Sequence, residues 1–118
     1  MISLLVVVVL TLTALLFFFP LVQVCGYSMF PTFTDGQFLF SKRVLHKSKC
    51  KVGEVYVYIP PYASEGEKFV IKRLDHINDK GEYYFLGDNS SDSYDSRYYG
   101  YVKSHNVVAH ILNRKGCK

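Results

Sequence analysis

A serine hydroxyl attacks a carbonyl well only when a neighbouring base takes its proton. Ser28 is the serine in this chain for which such a base is worth seeking. It lies in Val24-Cys25-Gly26-Tyr27-Ser28-Met29-Phe30-Pro31-Thr32, confined between Gly26 and Pro31 in an apolar neighbourhood of Tyr27, Met29, Phe30 and Phe33. No His–Asp pair is placed for the task, so a lysine is the next candidate. A lysine base must first be neutral. With a reference pKa of ~10.4, neutrality at pH 7 costs roughly 4.6 kcal/mol, and burial in apolar surroundings can lower the pKa by up to ~3–5 units. Lys72 meets that demand best, because strand alternation from Lys68 to Leu74 puts Val70, Lys72 and Leu74 on one face. The same pattern also suits a lysine whose stem covers apolar surface while its head reaches water. On spacing alone, both readings stand.

A third segment, Gly87-Asp88-Asn89-Ser90-Ser91-Asp92-Ser93-Tyr94-Asp95-Ser96-Arg97-Tyr98-Tyr99-Gly100, is dense in turn formers and hydrogen-bonding side chains. It reads either as an ordinary polar loop or as a bonded Asp–Ser–Arg network that holds a neighbouring site rigid. Metal chemistry has no such signature. The cysteines at 25, 50 and 117 form no C-x-x-C pair, and the histidines at 46, 76, 105 and 110 do not cluster. His110 sits in the apolar run Val107 to Leu112 and reads as a packed strand residue. A Cys50–Cys117 disulfide is open in an oxidising compartment, but spacing does not establish it. No cofactor or metal is expected.

Two kinds of element must position these residues. Ile2 to Val24 is an uncharged apolar run, long enough as one helix to cross roughly 30 Å of hydrocarbon, with Ser3, Thr11 and Thr13 able to bond back to helix carbonyls and Pro20 near its far end. A cleaved leader would want a basic start and small residues before the cut, but no Lys or Arg precedes the run and Val22-Gln23-Val24 offers no A-x-A-like site. The expectation is an uncleaved transmembrane anchor over residues 1–24 and one catalytic domain over 25–118. Lys42 and Arg43, the nearest bases, would by charge alone keep that domain in the cytoplasm. Past the anchor, short alternating runs punctuated by Gly, Pro and Asn predict strands at Gln37–Ser41, Glu54–Ile59, Lys68–Leu74, Tyr83–Leu86 and Val107–Leu112, with a tight turn at Asn78-Asp79-Lys80-Gly81. The fold class expected is mostly β, a small, strongly curved and mainly antiparallel domain after one transmembrane helix.

Composition bounds the function. The chain has 118 residues, with 14 Lys plus Arg against 10 Asp plus Glu, and its first charged residue is Asp35. One domain fits that length. The net charge of +4 is modest and spread out, so nucleic acid is not an expected partner.

Taken together, the segments resemble the type I signal peptidases, membrane-anchored serine proteases with a Ser–Lys dyad. Val24, Gly26, Ser28, Met29, Pro31 and Thr32 match a V-x-G-x-S-M-x-P-T box, continued by Asp35-Gly36. Gly53-Glu54-Val55 with Pro60 resembles the next strand, Lys72-Arg73 the dyad-lysine box, and Gly87 to Gly100 the G-D-N-x-x-x-S-x-D-S-R-x-aromatic-G box. The resemblance implies Ser28 as nucleophile, Lys72 as general base, Ser93 orienting the Lys72 amine, Asp95 and Arg97 bracing the loop, and the Ser28 N–H in an oxyanion hole. It implies extended leader peptides as substrates, with small residues one and three positions before the cut, lying against Gly26, Tyr27, Met29 and Ile71. It further implies a lipid bilayer and the export machinery as partners, and a catalytic domain on the export side, of a bacterial plasma membrane rather than an organelle's inner membrane. A dedicated maturation protease, or a catalytically silent anchored peptide-binding module, would carry the same sequence features.

Overall fold

The computed structural model describes residues 3–45, 50–62 and 69–113; Cys117 and Lys68 lie outside them. The apolar N-terminal run forms a helix, α1 (Leu4–Phe18), of 15 residues. Ser3 serves as its N-cap, accepting from the Val6 amide rather than bonding back along the helix. Thr11 and Thr13 do donate back, to the carbonyls of Val7 and Val9. The single spanning helix expected over residues 2–24 is not what forms. Pro20 has no N–H to continue the ladder, and Leu21–Gln23 leaves as an edge strand, β1. At ~1.5 Å per residue the helix falls short of a hydrocarbon core of ~30 Å. No helix among the described residues is long and apolar enough to cross a membrane.

The remaining strands are β2 (Phe38–Arg43), β3 (Val55–Tyr58), β4 (Val70–Ile77), β5 (Tyr83–Leu86) and β6 (Val107–Ile111). They form a six-stranded sheet in the order β1-β2-β6-β3-β4-β5, antiparallel at every pairing. The sheet is open and uncurled, not the strongly curved one expected, because its edge strands β1 and β5 do not pair with each other. The β4–β5 hairpin turns at Asn78 to Gly81, where Asn78 receives amides from Lys80 and Glu82 and Gly81 takes φ +78°.

Burial on both faces explains why the central strand is apolar throughout. In β3, Val55 and Val57 enter a core with Met29, Phe33, Leu39 and Ile111, while Tyr56 and Tyr58 enter one with Leu74, Phe85 and Val102. In the β3–β6 ladder, Val57 faces Ala109 but Tyr58 faces Val107, so Val108 is an extra residue. That bulge lets Val107 join the second core while Ala109 and Ile111 join the first.

Two details of the sheet matter for the site. β5 pairs with β4 only from Arg73 onward, leaving the edge at Val70 to Lys72 uncovered by β5. The other edge is β1, which leads directly into the segment carrying Ser28.

Candidate active site

Ser28 follows β1 in a chain reversal held by its own backbone. Val24 exchanges bonds with Gln37 and Gly36, and the Asp35 carboxylate accepts the Gly26 amide at 2.7 Å. Gly26 sits at φ +94°, a conformation that favours glycine, which explains its place ahead of the serine. Phe33 and Met29 anchor the reversal in the first core.

The polar loop after β5 clamps this reversal from the other side. The Asn89 amide donates to the Ser28 carbonyl at 2.7 Å and its side-chain Nδ2 to the Tyr27 carbonyl at 3.0 Å. The Asp88 amide donates to the Met29 sulfur. Asp88 is itself gripped by Arg73 through Nε at 2.9 Å and a terminal nitrogen at 2.7 Å, and the Arg73 fork also reaches the Gly53 carbonyl. Burial pushes the Asp88 carboxyl up, but the bonds from Arg73 and Thr32 reverse this and hold it below its usual range. A Cβ at Gly87 would collide with the Ser93 side chain and the Ser28 carbonyl, so this approach requires glycine.

Lys72 projects from β4 into the gap so formed. It is 6% exposed, and its Nζ donates to Ser28 Oγ at 3.0 Å. Leu74 on its own face is fully buried and Val70 packs against the same core, as alternation required. Burial lowers the lysine pKa, and the smaller opposing pull of the Asp95 charge does not cancel it. The amine of Lys72 thus ends on Ser28 within a buried side chain, unlike a stem that covers surface while its head extends into water.

Asp95 is fully buried and surrounded by donors: the Gly87 amide at 2.8 Å, Ser93 Oγ at 2.7 Å, and Arg97 through its amide, Nε and a terminal nitrogen. Burial alone would raise its pKa, but these donors, Arg97 first, hold it at about 2. Asp95 and Arg97 thus pair as expected. Ser93 is different, because its hydroxyl donates to Asp95, and among the described residues no hydrogen bond joins it to Lys72. The buried carboxylate orients the Ser93 hydroxyl proton.

The residues expected against a peptide divide in position. Tyr27 is exposed and Gly26 half-buried beside Ser28, while Ile71 lies on β4 facing a groove toward β1. Met29 is buried, a core anchor of the loop rather than a surface residue. The Ser28 N–H has no bonding partner among the described residues. No group of three His, Cys, Asp or Glu side chains among them could hold a metal ion. Arg73, Asp88, Asn89 and Asp35 were not singled out by sequence reasoning as site residues. Their adjacency to Lys72, Gly87 and Gly26 was the available signal.

The arrangement is a buried amine on a serine hydroxyl, braced by a carboxylate–guanidinium pair, as hydroxyl activation requires. Comparison with known proteins finds similarity over part of the chain. The family model for signal peptidase, peptidase S26, matches residues 72–114. A signal peptidase I from Buchnera aphidicola subsp. Acyrthosiphon pisum (strain APS) is 50% identical over 40 residues, a stretch that is 34% of this chain and 13% of that relative. Ser28 lies before the stretch matched by the family model, whereas Lys72, Arg73, Asp88, Ser93, Asp95 and Arg97 lie within it. The stretch that supplies the amine, its braces and the clamp on Ser28 is thus the one that is similar to the signal peptidase family, peptidase S26.

Proposed function

We propose that the protein is a membrane-attached serine endopeptidase that removes leader peptides from exported proteins by Ser–Lys acyl-enzyme chemistry. The observation that carries this is the buried Lys72 amine 3.0 Å from Ser28 Oγ. Neutral Lys72 takes the hydroxyl proton as Oγ bonds to the scissile carbonyl carbon. The Ser28 N–H, without a partner among the described residues, would receive the developing oxyanion. Lys72 then returns its proton to the leaving amine as the C–N bond breaks, leaving an ester on Ser28. A water, deprotonated by Lys72, attacks that ester and frees the enzyme. Ser93 acts through Asp95, which fixes the loop beside the amine.

The substrate would lie extended along the groove between β1 and β4, where the Val70 to Lys72 edge is uncovered by β5. Membrane attachment rests on α1, whose side chains are exposed all round the helix and, but for its two threonines, apolar. Leu21, Phe38 and Phe40 add exposed apolar area on the outer face of the β1–β2 pair.

The pH dependence tests the base. Because Lys72 acts unprotonated, kcat/KM for a leader peptide rises as pH climbs toward the lowered lysine pKa, then levels off. A profile flat from about pH 6 to about pH 9 would remove Lys72 as the titrating base.

A further inference from the structure

We infer that Arg43 is a specificity-determining residue at the far end of the substrate groove, favouring leaders with an acidic or other acceptor side chain there and rejecting lysine or arginine. This rests on the leader-peptidase reading and adds to it. The groove has a volume of about 380 Å³ and is walled by Pro20, Leu21 and Val22 on one side and by Phe69 and Ile71 on the other. Its lining side chains are apolar but for Gln23 and Arg43; none is acidic, and Arg43 is its one charge.

Arg43 is fixed there by the end of α1. Its Nε donates to the Phe17 carbonyl at 2.7 Å, and its guanidinium lies 4.3 Å from the Phe17 ring centroid. The remaining N–H groups of that guanidinium have no partner among the described residues. They are a fixed, half-buried set of donors beside apolar walls, where an incoming acceptor gains a charge-assisted bond and an incoming cation meets repulsion. Lys42, the adjacent base, is on the exposed outer face of β2 and does not line the groove. The position selected follows from the path. A leader running from Ser28 back toward the Pro20 end would pass Arg43 with a residue before the cut, and at ~3.3 Å per extended residue several successive positions are candidates.

The test uses a leader peptide carrying Asp, Ala or Lys at each of those positions in turn. Two readouts run in parallel, cleavage by the wild type and binding to the Ser28→Ala variant by fluorescence anisotropy. At one position the Asp peptide binds about tenfold tighter than the Lys peptide, and Arg43→Glu inverts that ratio while Arg43→Lys keeps its direction. Because each ratio is taken within one variant, partial misfolding does not alter it. Equal binding of all three peptides at every position, or a preference that Arg43→Glu leaves unchanged, overturns the inference. Absence of cleavage by the wild type would instead count against the peptidase reading, and the binding ratios still decide the role of Arg43.

Discussion

Replacing Lys72 by Met lowers leader cleavage by about 10⁴-fold or more while raising the melting temperature by a few degrees. Both effects come from one fact, the burial of an amine among apolar side chains. Methionine nearly keeps the stem's volume and removes a group whose charged form is costly to bury, so the fold gains. The reaction loses its base, and among the described residues no other lysine bonds to Ser28. The pH dependence of stability has a definite sign. With the folded pKa below 10.5, the unfolded chain binds more protons in the interval between the two values, so wild-type stability rises with pH across it. The variant lacks that alkaline rise. Thermal melts at several pH values, beside single-turnover cleavage, read both effects. Retention of cleavage within about tenfold would show that Lys72 is a structural lysine.

Asp95→Asn acts in the opposite direction on stability and in the same direction on activity. The carboxylate gathers the Gly87 amide, the Ser93 hydroxyl and the Arg97 fork in a fully buried position. An amide has one acceptor oxygen, so part of this set is left unpaired, at a cost of about 2–4 kcal/mol. The acid limb of the stability curve changes as well. Asp95 is held at about 2 in the fold, so its contribution is full above the ordinary carboxylate pKa and is lost as pH falls from there through about 2. The variant's stability is flatter there. Cleavage falls too, because Gly87 and Asn89 hold the serine segment from the same loop. Urea titrations at neutral and acid pH test the first two effects, and an unchanged midpoint at neutral pH would contradict the bracing role.

What the sequence made legible follows from where the information lies. Five strands, the Asn78–Gly81 turn and the face shared by Val70, Lys72 and Leu74 were readable because alternation and turn residues are local signals. β1 was not, because it directly continues an apolar run in which helix and strand periods cannot be told apart. Only the pairing of Leu21, Val22 and Gln23 with Phe40, Leu39 and Phe38 separates it from the helix, and that is a contact across the chain. The Asp95–Arg97 pair was implied by the resemblance, whereas spacing alone left an ordinary polar loop equally open. The grip of Asn89 on the carbonyls of Tyr27 and Ser28 was not, since a backbone carbonyl carries no residue signature. Ser93 was expected to bond the Lys72 amine; here its hydroxyl donates to Asp95, a partner that a loop dense in acceptors does not single out in the sequence.

The most direct measurement is cleavage of a leader-bearing preprotein in detergent micelles, wild type beside Ser28→Ala, with the cut site read by mass spectrometry. The wild type is expected to cut once, after a small residue, and the variant not at all. Cleavage by both proteins, or by neither when each is folded and micelle-bound, would contradict Ser28 as the nucleophile of a leader peptidase.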